Sequence, residues 1–283
     1  MPYSRAVVVL GMHRSGTSVL TRGLQELGVC LGDDFLGIQP DNPTGYWEDK
    51  GIVDLNERLL AAFGLNWESI SLIQDTQWEM PEVRALGAEA AAYLQAHFLD
   101  YGLWGFKDPR TIRLLPFWRA VLQRLEVDDR YVVAIRNPLA VAASLLKRQS
   151  MAPAMSHMLS LVYLLPYLHE IAARPFVTVD YDRFVADPGG QLGRVVDGLK
   201  IPLRATAAAK IEHFSRHFLD PGLRHDHFSP FDFDTIPEIS PLIREAYLWL
   251  HQVATDELAP DAPEFWYAWS RLREAGEALI ASR

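Results

Sequence analysis

The segment that most restricts how this chain can fold is Gly11-Met12-His13-Arg14-Ser15-Gly16-Thr17-Ser18. It lies directly between the apolar run Ala6–Leu10 (AVVVL) and a helix-period stretch, Ser15–Leu27. A short run with no polar alternation reads as a strand covered on both faces, which is the habit of parallel sheets. A glycine-rich turn that passes such a strand into a helix collects first-turn amides around one point, a ready anion site. The spacing is that of the phosphate loop G-x-x-x-x-G-K-[ST], with Thr17 in the lysine position.

That departure carries chemical meaning. The phosphate-loop lysine and the hydroxyl after it hold the β- and γ-phosphates and a magnesium ion of a nucleoside triphosphate. Without the lysine, kinase or NTPase chemistry loses its main charge clamp. Arg14 returns a cation to the loop, and a guanidinium grips a phosphate or sulfate edge in two places.

Three further apolar runs read as strands: Leu103–Phe106, Tyr131–Ile135 and Phe176–Val179. Helix-period segments separate or follow them: Val53–Phe63, Ala85–Leu99, Pro138–Arg148 and Leu192–Leu199. Alternating strands and helices predict an α/β fold, a P-loop NTPase-like parallel sheet flanked by helices. Past Pro202 the strand signals stop, and Ala205–His217, Pro241–Asp256 and Pro263–Ile280 read as helices. The expected organisation is one domain over 1–283, with an α/β core at 1–200 and a helical C-terminal part at 201–283.

Ligands of open α/β sheets sit beyond the carboxyl ends of the strands, and each run here ends in polar residues. The second ends in Lys107-Asp108-Pro109-Arg110, where a lysine can neutralise charge building on a leaving oxygen. The third ends in Arg136-Asn137-Pro138, with Asn137 a fair N-cap and Pro138 suited to the first helical position. Ser144 and Arg148 share a face of the helix that follows. An NTPase strand would end here in an acid that holds magnesium through water; this one ends in arginine. The fourth run ends in Asp180-Tyr181-Asp182.

These residues resemble the sulfotransferases that use 3'-phosphoadenosine 5'-phosphosulfate (PAPS), in their prokaryotic and tyrosylprotein-type branch. The likeness covers residues 7–49, 103–118 and 130–190. It implies that Arg14, Ser15, Gly16, Thr17 and Ser18 cradle the 5'-phosphosulfate and that Lys107 stabilises the transferring group. Arg136 and Ser144, eight residues apart as in the family, would bind the 3'-phosphate, with Tyr181 either a secondary contact or a tyrosine packed at the sheet edge. The implied activity is in-line transfer of a sulfuryl group to an acceptor hydroxyl, with PAPS as co-substrate and no metal. A P-loop small-molecule kinase and a catalytically silent protein that binds 3'-phosphoadenosine 5'-phosphate (PAP) are the rival readings.

An attacking hydroxyl needs a base within hydrogen-bond reach. Glu48, in Asn42-Pro43-Thr44-Gly45-Tyr46-Trp47-Glu48, matches an Asn-Pro-x-Gly-Tyr-x-Glu stretch of close family members. Asp33 and Asp34 are rivals, and the alternative role for Glu48 is to cap the next helix. The acceptor, a glycan, lipid, peptide or small metabolite, is open, with a carbohydrate hydroxyl the first expectation. Tyr46, Trp47, Trp67 and Met151–Met158 are either its walls or ordinary core. His213 and His217 stand four apart without the rest of a zinc motif, and Arg224-His225 is a candidate cationic lid.

A formal net charge of −9 with no basic run argues against nucleic acid and anionic membranes as partners. The single cysteine, Cys30, allows no intrachain disulfide. No stretch reaches the roughly 18 apolar residues of a membrane span, no signal-peptide pattern opens the chain, and the expected location is cytoplasmic. Oligomeric state is left open.

Overall fold

The computed structural model describes residues 4–37, 45–203, 205–217, 228, 233 and 239–282. Four strands, β1 (Arg5–Leu10), β2 (Leu103–Lys107), β3 (Asp128–Ile135) and β4 (Phe176–Asp180), form one parallel sheet in the order β2-β1-β3-β4. All four expected runs are strands of it. The register aligns their carboxyl ends: Val9 faces Lys107, Leu10 faces Val133, and Ile135 faces Asp180. The chain leaves β1 for β2 on one side, then returns to add β3 on the other. That reversal opens a crevice beyond β1 and β3, the usual ligand position in such sheets.

Because strand side chains alternate, β1 divides its apolar run between two cores. Ala6, Val8 and Leu10 join a large cluster with helices α2 (Lys50–Ala62), α3 (Pro81–His97), α4 (Leu115–Arg124), α5 (Pro138–Gln149) and α6 (Pro153–Leu164). Val7 and Val9 join a smaller one with α1 (Thr17–Glu26) and α8 (Pro188–Leu199). The short α7 (Tyr181–Ala186) follows β4 directly, capped by the Asp180 carboxylate. Of the C-terminal helices, α9 (Ala207–His217) packs on α1 and α8. Helix α10 (Pro241–Ala254) lies along β4 and α6, and α11 (Pro263–Ala281) against α10 and α6.

Helices α4 and α6 were not among the expected ones, although α4 buries Leu115, Trp118, Val121 and Leu122 at helical spacing. In α6 every residue from Ser156 to Leu164 is buried, so there is no polar face for a 3.6-residue pattern to reveal. Helix α4 follows a 3₁₀ turn, Pro109–Leu114, without a break. No single described helix is long and apolar enough to cross a membrane.

Candidate functional site

The turn between β1 and α1 takes its shape from two glycines. Gly11 has φ of 149°, and a Cβ there would stand 2.6 Å from the Ala134 carbonyl oxygen of β3. Gly16 has φ of 83°, and a Cβ would stand 2.2 Å from Cδ2 of Tyr181. Both positions favour a residue without a side chain. Between them the Ser15 N–H donates to the Met12 carbonyl, and Arg14 is held at φ of 69°. Gly16 is the N-cap of α1, and no side chain caps that helix. Its first amides and the positive end of its dipole therefore face the crevice.

The sequence-derived residues converge around this turn in two sets of contacts, one on each side of it. Arg14 Nε donates to Ser144 Oγ on α5 at 2.9 Å. Arg136 Nη1 reaches the Arg14 carbonyl oxygen at 3.4 Å, and its guanidinium lies 4.5 Å over the Tyr181 ring. Arg136 Nε is buried and makes no hydrogen bond among the described residues. On the other side of the turn, Lys107 Nζ donates to Ser18 Oγ at 3.1 Å and to Glu48 Oε1 at 2.5 Å. Thr17 opens α1 and is buried, with its carbonyl accepting from the Thr21 hydroxyl. Arg14, expected at one end of the donor, and Ser144, expected at the other, thus touch.

The residues model of the sulfotransferase family matches positions 6–205. The chain belongs to the sulfotransferase family. A solved sulfotransferase from Mycobacterium avium is 16% identical, the match covering 78% of this chain and 70% of that one, with a TM-score of 0.40. The sulfotransferase domain of the olefin synthase from Synechococcus PCC 7002 is 17% identical, covering 91% of this chain and 96% of that one, with a TM-score of 0.42. No curated protein sequence matches significantly.

In this member of the family the N-cap of α2 is Asp49, which accepts from Ile52 N and from the Tyr93 hydroxyl. Glu48 is therefore not used as the cap. Burial raises its carboxyl above the ordinary value, and the Lys107 ammonium works against that shift. Asp33 and Asp34 are exposed, and Asp34 pairs with Lys50 at the surface. Asp108, fully buried, caps the 3₁₀ turn through Arg110 N and binds the Arg110 side chain. It also accepts from Asn56 of α2, whose amide oxygen takes the Trp118 indole N–H of α4. This network fixes the end of β2, and so Lys107, against two helices.

Trp47 packs on Phe35 and on the Arg22 guanidinium. Most of Met151–Met158 belongs to the start of α6; Met151, just before the helix, and Met158, on it, are core. Cys30 lies just past α1, bridged to Trp104 of β2. His213 and His217 are on α9, and no group of three or more metal-ligating side chains gathers among the described residues. Arg224, His225 and His227 lie outside the described residues.

One residue of the turn was passed over in the sequence. His13 packs against Trp67, with ring centroids 4.6 Å apart, and meets the edge of Tyr163 at 5.7 Å. Its Nε2 is buried and has no hydrogen-bond partner among the described residues. Burial and the charges of Arg110, Lys107, Arg148 and Arg14 hold its pKa well below the ordinary 6.5. The available signal was its place in the turn, a polar ring beside Arg14.

Proposed function

We propose that this chain transfers a sulfuryl group from PAPS to a hydroxyl of its acceptor. The observation that carries the reading is Arg136: a guanidinium stacked on Tyr181, across the turn from Lys107, with a buried Nε that has no acceptor. Leaving a buried polar group unsatisfied costs about 1–3 kcal/mol, more for a charged one. A 3'-phosphate would relieve that cost, and a nucleotide with anions at both ends needs two separated cationic sites. The α1 amides, which no side chain caps, fit the other end, and the glycines let the turn pack against β3 and Tyr181 so that those amides are held in place.

PAPS supplies an activated sulfuryl group; the protein's residues do the positioning. Ser15, Gly16, Thr17 and Ser18 present the amides and hydroxyls of the turn to the 5' end, and Arg14, braced by Ser144, adds charge. Arg136 and Tyr181 hold the 3'-phosphate end. Lys107, kept in place by Ser18, offers its ammonium to the bridging oxygen on which charge grows as the S–O bond breaks. Glu48 takes the proton of the acceptor hydroxyl as the new O–S bond forms, and PAP is the other product. Thr17 in the lysine position and Arg136 in place of an acid support transfer without magnesium. A carbohydrate hydroxyl is the first acceptor to try.

Calorimetry with PAP in the absence of magnesium, and with ATP in its presence, tests this. Tight PAP binding without ATP binding is expected. ATP bound and PAP ignored would return the turn to phosphoryl transfer.

A further inference from the structure

We infer that His13 is a hydrogen-bond donor to the sulfuryl oxygens of the donor, acting as a neutral imidazole set into the phosphate turn. The inference rests on the PAPS reading and concerns the one polar ring of the turn that it leaves unused. Within the described residues, Nε2 of His13 is shielded from solvent and has no protein partner, so the fold leaves it unsatisfied. Such an atom is costly unless a ligand completes it.

Position decides which part of the donor it serves. Arg136 and Tyr181 stand on the β3–β4 side of the turn. The groups acting on His13 include Lys107 and Arg110 from the end of β2 and Arg148 from α5, with Arg14 beside it on the turn. Tyr163 of α6 and the half-buried Trp67 close the remaining sides. Tyr163 is itself fixed by its hydroxyl on the Trp67 carbonyl oxygen at 2.8 Å. His13 thus faces the side that holds Lys107 and Glu48, where sulfur changes partners.

The same surroundings select donor over base. Four cationic side chains oppose an imidazolium, whereas Glu48 accepts a proton with loss of charge. A neutral imidazole keeps one N–H and one lone pair, and among cations the favourable partner for its N–H is an anionic oxygen.

PAP lacks the sulfuryl group, so comparing PAP with PAPS isolates this contact without an identified acceptor. Calorimetry at pH 7.5 on the wild type, His13→Ala and His13→Gln reads it. His13→Ala is expected to weaken PAPS about tenfold, the scale of a hydrogen bond to a charged group, and to leave PAP within about twofold. His13→Gln, which keeps an N–H near the Nε2 position, should recover most of the loss. Equal losses for both ligands would make His13 a packing residue of the turn, and unchanged PAPS affinity would remove it from the site. A wild type that binds neither ligand overturns the donor reading first. The imidazole ¹⁵N signals of the wild-type protein need no variant: neutral His13 whose Nε2–H shifts with PAPS but not PAP supports the contact, and identical shifts with both contradict it.

Discussion

The Lys107 ammonium and the Glu48 carboxylate lie 2.5 Å apart, with side chains 1% and 8% exposed. Removing one member of a buried pair strands the other, at a cost of about 3–5 kcal/mol. Lys107→Met is therefore expected to lower stability, but by an amount that depends on pH. Without the lysine, the Glu48 carboxyl rises further and is neutral in the fold below its new pKa. The loss is then small near pH 5 and grows as pH rises and folding must bury a charge. Urea unfolding of the variant and wild type at both ends of that range checks the sign. A pH-independent loss would mean that the pair contributes only packing.

Glu48→Gln keeps the shape of the pair and removes the base. PAP release from PAPS in the presence of acceptor should slow by about 10²–10⁴-fold, the usual contribution of a positioned base, while PAP binding persists. Because burial is the largest influence on Glu48 and raises it above the ordinary 4.5, the wild-type rate should climb with pH along a limb above that value. The base must be ionised, so activity is lost as pH falls through the limb. His13, neutral at pH 7, adds no second limb between pH 6 and 8. A wild-type profile retained in Glu48→Gln would transfer the role to another group.

Arg136 differs from Lys107 in having no acid beside it among the described contacts. Its replacement by alanine should weaken PAP by about 30-fold or more, as expected when a buried charge-assisted contact is truncated. Adenosine 5'-phosphosulfate, which lacks the 3'-phosphate, should lose little. Parallel losses for the two nucleotides would move Arg136 away from the 3' end.

How much of this was legible depends on whether a feature is local. The strands were readable because Ala6–Leu10 and Tyr131–Ile135 are unbroken apolar runs, and the turn because its glycines and hydroxyls are adjacent. Helix α6 was not, since its burial on all sides erases the period. The Lys107–Glu48 pair joins residues 59 apart and the Arg14–Ser144 contact residues 130 apart; the motifs named all four residues but not their partners. Asp49 as the cap of α2 could have been read from its place before Lys50, and that would have released Glu48 from the rival role. The isolation of His13 Nε2 was beyond reach, because it depends on Trp67 and Tyr163 arriving from distant segments.

Gly16 joins the turn to the 3' side of the site, and its substitution tests both at once. Alanine at φ of 83° pays about 1–2 kcal/mol of backbone strain, and its Cβ would collide with Tyr181 Cδ2 at 2.2 Å. Tyr181 must then swing away, taking with it the ring beneath Arg136. Gly16→Ala should accordingly lose PAP affinity by more than the strain alone explains. The double variant Gly16→Ala with Tyr181→Ala separates the terms: it removes the collision and keeps the strain. If the double variant binds PAP no worse than Tyr181→Ala alone, the collision accounts for the loss. If it binds as poorly as Gly16→Ala, or worse, the left-handed backbone at Gly16, and hence the aim of the first α1 amides, is what the nucleotide requires.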